Sequence, residues 1–267
     1  EGVTPSSQKL AVVDVTATLG QYGGWSEITD VIQDTHEDPI LQGMMQVHGQ
    51  QASESFEALT YLTLRAGTNV VYANGSARNA VNTKISLGKV RSAVRTLNKN
   101  KCRKKTTILA PSVNYKTQAI EAAYVAVCHT DLEPDIRDLP GFVPVSQYGS
   151  RQTICPQEFG SVENVRFITT TIATPFADAG GLAGNAVLST TGTNADVYPV
   201  LIFGEDAYGT VALKGKDSAE ILVRNPGKPE NGNELGQRGS VGWKGWHVAA
   251  RLNEAWLVRL EVAATLL

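Results

Sequence analysis

The stretch from Asp38 to Gly67 constrains the fold more than any other part of this chain. Apolar residues recur at helical spacing through Ile40, Leu41, Met44, Ala52, Phe56, Leu59 and Leu62, with His48 on the same face. Asp38 is suited to cap the start, because a carboxylate accepts from the orphan N–H groups of a first turn. Pro39 suits the first helical position, where its missing donor costs nothing. Gly67 is the residue type that closes a helix in the left-handed conformation. The pattern predicts a helix over 39–66, about 27 residues and roughly 40 Å long. A compact body of 267 residues has a diameter of about 45–50 Å, so this helix is a beam across the whole molecule and needs neighbours along its length. Gly43 and Gly49 lie inside it, and each costs up to about 1 kcal/mol relative to Ala. They are expected to mark places where something packs close.

The rest of the chain reads as α+β. Ala11, Val13, Val15, Ala17 and Leu19 alternate with Leu10, Val12, Asp14, Thr16 and Thr18, the period of a strand with one apolar face, and Gly20 and Gly23-Gly24 are expected to break it. A helical turn is expected around Ser26–Ile32. Gly67–Ala80 reads as a polar loop. A second amphipathic helix follows, with Ser86 as cap and Leu87, Val90, Val94 and Leu97 on one face. Strands are predicted at Tyr124–Cys128, Val162–Ala173, Val197–Phe203 and Ala219–Val223, with His129-Thr130-Asp131 capping a brief helix through Ile136. Ala177–Ala195 reads as a flexible, low-complexity loop, and Pro226–Gly239 as a polar connector. The C-terminus predicts a hairpin, with Trp246, Val248, Ala250 and Leu252 in one strand. After a turn at Asn253-Glu254, Trp256, Val258, Leu260 and Val262 alternate against Arg259 and Glu261 in the other.

Charge is segregated. Ten of the 24 basic residues, and none of the 26 acidic ones, lie between Lys84 and Lys116, which leaves an acidic excess elsewhere. Lys89, Arg91, Arg95, Lys99, Lys101, Arg103, Lys104 and Lys105 form a candidate basic cluster facing either nucleic acid or another copy of the chain. The run carries no aromatic residue for base stacking up to Lys105, which argues against a dedicated nucleic-acid module. A basic-patch nucleic-acid-binding protein using residues 84–105 is the alternative reading.

Signatures of catalysis are missing. The sequence holds no G-x-S-x-G elbow, no H-E-x-x-H and no phosphate-binding loop, and Gly215-Lys216 is followed by Asp217. The four histidines have no ligand spacing, and Cys102, Cys128 and Cys155 form no C-x-x-C pair. No catalytic, cofactor or metal site is expected; the one pairing worth testing as a base with its carboxylate, His129 with Asp131, reads more simply as a helix cap. No stretch is long and apolar enough to be a membrane helix. Glu1-Gly2-Val3-Thr4-Pro5 looks like neither a signal peptide nor a translation start, so an upstream segment is expected.

Several stretches together resemble one family: Gln21-Tyr22-Gly23-Gly24-Trp25, then Asp38-Pro39-Ile40-Leu41, then the run 65–73 from Arg65-Ala66-Gly67 and the run 90–97 from Val90-Arg91. Late in the chain come Phe203-Gly204-Glu205-Asp206-Ala207-Tyr208-Gly209, Val241-Gly242-Trp243-Lys244 and Leu252-Asn253-Glu254-Ala255-Trp256. Their order and spacing resemble the major capsid proteins of tailed bacteriophages, of the N-four-type podophage family. The resemblance implies a Hong Kong 97 type fold. In it residues 1–25 are the returning part of an extended loop, and 26–125 a peripheral domain with the spine helix and the basic second helix. Residues 126–240 are mostly an axial domain and 241–267 complete the sheet. It implies self-assembly into hexamers and pentamers of an icosahedral head in the virion, non-specific contact with packaged double-stranded DNA, and synthesis in the host bacterial cytoplasm. Portal, scaffold and decoration proteins are further implied partners. A lysine–asparagine cross-link known in some such shells would draw on Lys9, for which the sequence supplies no evident partner.

Overall fold

The computed structural model describes residues 7, 9, 12–35, 39–107, 119–149, 151–211, 213, 219–229 and 232–267. In chain order the elements are β1 (Gly20–Thr29), α1 (Asp30–Thr35), α2 (Ile40–Arg65), β2 (Val70–Tyr72), α3 (Leu87–Lys99), β3 (Lys105–Thr107) and β4 (Ala119–Cys128). Next come α4 (Glu133–Arg137), β5 (Val143–Pro144), β6 (Glu158–Val162), β7 (Val165–Thr169) and β8 (Val197–Phe203). The last are β9 (Tyr208–Thr210), β10 (Ala219–Arg224), β11 (Arg238–His247), β12 (Ala249–Arg251) and β13 (Leu257–Ala263). Asp38, Leu10 and Ala11, which figured in the predicted cap and first strand, lie outside the described residues, as do His36, Lys116 and the segment Gly215-Lys216-Asp217.

Two sheets organise the chain. An eight-stranded sheet runs β2-β13-β8-β4-β7-β6-β5, with β3 also paired to β4. Its β13–β2 and β4–β7 pairs are parallel. Helix α3 covers one face, where Val90, Ala93 and Leu97 meet Tyr124, Phe167, Ile202, Val258 and Leu260 in the main core. The end of α2 covers part of the other face, through Tyr61 and Leu64 against Leu201 and Leu257. Strands covered on both faces read as continuous apolar runs, which is why Val197–Phe203 was legible as a strand. Burying each large side chain here contributes about 1.5–3 kcal/mol.

The second sheet, β1-β11-β10, is antiparallel and lies along α2. Within the predicted strand over residues 10–19, the described residues 12–19 form no ladder and are largely exposed; the strand instead runs from Gly20 to Thr29 through the glycines meant to break it. The reason is the partner strand. A Cβ at Gly23 would lie 2.7 Å from the Trp243 carbonyl, and one at Gly242 would lie 2.9 Å from Trp25, so small residues let two tryptophan-bearing strands pair closely. The helical turn expected at Ser26–Ile32 therefore starts only at Asp30.

Other expectations also change. Gly67 does not adopt the left-handed conformation; Ala66 caps α2 at φ −76°, and a Cβ at Gly67 would lie 2.6 Å from Leu257 Cδ2, so close packing requires the glycine. The loop 67–80 contains β2. Residues 177–195 form an ordered loop: the buried Asp196 carboxylate accepts from the backbone N–H of Asp178 (2.8 Å) and Thr190 (2.9 Å), and Asp178 accepts from Asn194 N–H (2.8 Å). No C-terminal hairpin forms. The segment around Trp246 pairs with β1 and β10, Ala249–Arg251 with β9, and Leu257–Ala263 with β8 and β2. The sheets also cut across the expected divisions at 125/126 and 240/241, because α3 packs on β13 while β10 and most of β11 accompany α2.

Candidate inter-subunit surface

Helix α2 spans 26 residues, roughly 39 Å at 1.5 Å per residue, yet only His48, Ala52, Tyr61 and Leu64 are buried. One side is fastened to the three-stranded sheet. The indole N–H of Trp243 donates to Gln51 Oε1 (3.1 Å), so His48 Nδ1–H donates to the same oxygen (3.1 Å) and His48 Nε2 accepts from the Ser26 hydroxyl (3.0 Å). About two and a half turns on, the Thr60 hydroxyl donates to the Phe56 carbonyl (2.9 Å), and His247 Nε2–H donates to Thr60 Oγ1 (2.9 Å). The Phe56 ring stacks on His247 at 5.0 Å and meets Trp243 edge-on at 5.6 Å. Burial pushes the His247 pKa below its ordinary value.

The other side of α2 is open. An apolar-lined groove of about 770 Å³ separates its first half from β1, lined by Trp25, Ile40, Met44 and Val47 among others. Trp25 is 71% exposed and Val47 66%, with Val31 and Ile32 exposed nearby on α1. Val12, Val13 and Val15 are exposed as well. Clustered apolar exposure of this kind marks a surface that another molecule covers. Within the chain, nothing lies within 4 Å of a Cβ built at Gly43, and at Gly49 only Ile221 Cδ1 is near, at an ordinary 3.7 Å. The close approach expected at these glycines is thus not made by the described residues of this chain.

The basic cluster is spread over three settings. Arg91, Arg95 and Lys99, four residues apart, share an exposed face of α3, away from its buried Val90, Ala93 and Leu97. Arg91 pairs with Glu163 at 2.7 Å, while Lys89, Arg95, Lys99 and Lys101 have no ion pair or hydrogen bond among the described residues. Arg103 and Lys105 face Asp206 (4.0 Å) and Glu205 (3.6 Å), and Lys104 lies 5.6 Å from the Tyr124 ring centre. Part of the segregated charge is therefore neutralised inside the chain.

His129 is a cap, as its sequence setting predicts. Its Nδ1 lies 3.2 Å from the Asp131 backbone N–H and 3.1 Å from Asp131 Oδ2, and the Asp131 carboxylate accepts from Tyr198 OH (2.8 Å). Among the described residues no group of histidines, cysteines and carboxylates is arranged to hold a metal ion.

The phage capsid protein family matches the chain over residues 12–260. The chain belongs to that family. Solved structures support the fold. The capsid of Ralstonia phage GP4 superposes with a TM-score of 0.66 at 12% identity, over 92% of this chain and 73% of that one. The head of Helicobacter pylori bacteriophage KHP40 gives 0.59 at 11%, over 92% and 74%. An encapsulin, SrpI of Synechococcus elongatus PCC 7942, gives 0.51 at 12%, over 92% and 74%. An encapsulin shares this fold with phage capsids, so the likeness shows the Hong Kong 97 type fold and the family match decides the function. No curated protein matches the sequence. The protein is a structural major capsid protein of a phage head and a component of the virion.

Two features of this capsid protein were missed in the sequence, and one of them had no signal there. Arg78 and the neighbouring Phe176 belong to no motif, yet Arg78 pairs with the fully buried Glu261 at 2.8 Å. Val47 could have been found, since with Ile40 and Met44 it forms a second apolar stripe beside the one through His48 and Ala52.

Proposed function

We propose that this chain is a tile of an icosahedral head enclosing the double-stranded DNA of a tailed phage, within the N-four-type podophage group. On this reading α2 is the spine helix of a peripheral domain made of residues 20–65 and 219–247. Residues 66–210 and 249–267 form the axial domain, and the exposed segment 12–19 is part of the extended loop. Copies made in the host bacterial cytoplasm associate into hexamers and pentamers through unlike faces, as rings with heterologous contacts require. Portal, scaffold and decoration proteins are further partners. The exposed stripe Arg91, Arg95 and Lys99 contacts phosphates of the packaged DNA without sequence preference.

The observation that carries this reading is the open apolar flank of α2. A solitary monomer has no use for a 26-residue helix with four buried residues and Trp25 and Val47 in water. The test is Val47→Gln. Its side chain makes no buried contact, so the dispersed subunit should keep its stability within about 0.5 kcal/mol, while electron microscopy should find closed particles from wild type and few from the variant. Monodisperse wild-type monomers at high concentration, binding DNA tightly and salt-dependently, would overturn the proposal in favour of a basic nucleic-acid-binding protein.

A further inference from the structure

Beside the C-terminus of α2 lies a group of cations with too few anions. The guanidinium carbons of Arg65 and Arg78 lie 3.6 and 3.5 Å from the centre of the Phe176 ring, which places them on its opposite faces. Arg259 sits 5.9 Å from the same centre. Among the described residues the one carboxylate paired with them is Glu261, which accepts both arms of the Arg78 fork (2.9 and 2.8 Å) and lies 2.8 Å from Arg259 Nε. Arg259 also donates to the Arg65 carbonyl at the helix end. Arg65 is left with a neutral partner, donating to Thr174 Oγ1 at 3.1 Å. Partial burial, together with the like charges of Arg78 and Arg259, pulls its pKa below the ordinary value. The stack is half-exposed, and Arg78 retains 32% of its side-chain exposure.

A groove of about 480 Å³ leads to this stack along α2, past Ala58, Leu62 and Ile172 to Thr174, the partner of Arg65. It is mainly apolar, with Gln51, Glu54 and Ser55 lining the part about three helical turns from Arg65, and at Thr174 it closes on surplus positive charge, so it fits an extended segment that carries apolar side chains and places one carboxylate at the Arg65 end. The chain owns such a segment. Val12, Val13 and Val15 are exposed around Asp14, and Asp14 has no ion pair or hydrogen bond among the described residues. Helix residues 51–62 that wall the groove span about 16 Å, the length of about five extended residues.

We propose that the Arg65–Phe176–Arg78 stack is a carboxylate socket that receives Asp14 of a second copy. The inference rests on the shell-tile reading and names one charge contact that fixes how two tiles sit. A carboxylate that pairs with Arg65, whose guanidinium is already held against the Phe176 ring and Thr174, meets a donor that needs little reordering, the condition under which a charged hydrogen bond adds most.

The test uses assembled particles and follows their dissociation by light scattering as salt is raised. Asp14→Asn and Arg65→Gln should each weaken subunit association roughly fivefold per contact and should remove the same part of the salt dependence. The double variant should be no weaker than either single one. Arg65→Lys, which keeps the charge, should retain much of the association. The exchange Asp14→Arg with Arg65→Asp should restore particles that Asp14→Arg alone disrupts. Thermal unfolding of dispersed Arg65→Gln subunits near the wild-type midpoint would show that the loss is not one of folding. Wild-type salt sensitivity in Asp14→Asn particles, or additive losses in the double variant, would overturn the socket. Absence of closed particles from the wild-type chain would instead overturn the tile reading beneath it.

Discussion

Glu261→Gln isolates a buried charge constraint of the fold. Glu261 sits in β13, opposite Tyr72 of β2 and Pro199 of β8, and has no exposure to solvent. Its two oxygens are occupied by Arg78, at 2.9 and 2.8 Å, and by Arg259, at 2.8 Å. Glutamine keeps the volume and removes the charge, leaving two guanidiniums around a neutral amide. Breaking a buried pair from one side costs about 3–5 kcal/mol, because the remaining charge stays in the interior. Arg78 keeps 32% of its side-chain exposure and can recover water, whereas Arg259 is 9% exposed and cannot. That places the expected loss near the lower end, at about 3–4 kcal/mol.

Glu163→Gln is the matched control, because it breaks the exposed pair with Arg91 and should cost less than about 1 kcal/mol. Thermal unfolding of dispersed subunits reads the difference, since about 2–4 °C per kcal/mol is expected for chains near this length. Glu261→Gln should therefore unfold roughly 6–16 °C below wild type, and Glu163→Gln within a few degrees. A Glu261→Gln midpoint indistinguishable from that of Glu163→Gln would refute the reasoning. It would mean that Arg259 reaches solvent or another acceptor when its carboxylate is gone.

Two further outcomes follow from α2. Gly43→Ala meets no neighbour within the chain, so it should stabilise the dispersed subunit by up to about 1 kcal/mol through helix propensity. If another copy packs at Gly43, the same change should impair particle formation under electron microscopy, and unimpaired particles would show that nothing packs close there. His247 titrates against the joint between α2 and β11. Burial depresses its folded-state pKa below that of the unfolded chain, so its neutral form stabilises the fold. That contribution is fully present above about pH 6.5, the unfolded value, and is lost as pH falls through the depressed folded-state pKa. His247→Gln should flatten this part of the stability–pH profile measured by urea unfolding between pH 7 and 5, and an unchanged profile would remove His247 from the joint.

The elements that were legible in the sequence are those whose signals are local. Helix α2 is punctuated at both ends, α3 carries its apolar residues on one face, and β8 is a continuous apolar run between two covered faces. Strand β1 was misplaced because its glycines look like breakers until Trp25 and Trp243 are known to oppose Gly242 and Gly24 across the ladder. Gly67 was assigned a turn conformation when its role is to admit Leu257. The C-terminal alternation was genuine, but its two halves pair in different sheets, and no period in a sequence encodes a partner strand.

Two departures from binary patterning have a common origin. Arg259 and Glu261 alternate with apolar residues along β13, a pattern that by itself implies solvent on one side; both faces of that strand are covered, and the pair is buried. The strand-like segment 10–19 alternates too, and its Val12, Val13 and Val15 are exposed. In the first case charges lie inside; in the second, apolar side chains lie outside. Binary patterning equates polar with solvent and apolar with core, an equation that holds for a monomer whose only surroundings are water. A tile whose flanks are covered by other copies breaks it, since an exposed valine in one copy is a buried valine in the shell. The surplus guanidiniums at Arg65 and Arg78 follow the same logic for charge. Glu261 balances them only in part, and the remainder is balanced by a neighbour if the socket is filled as proposed.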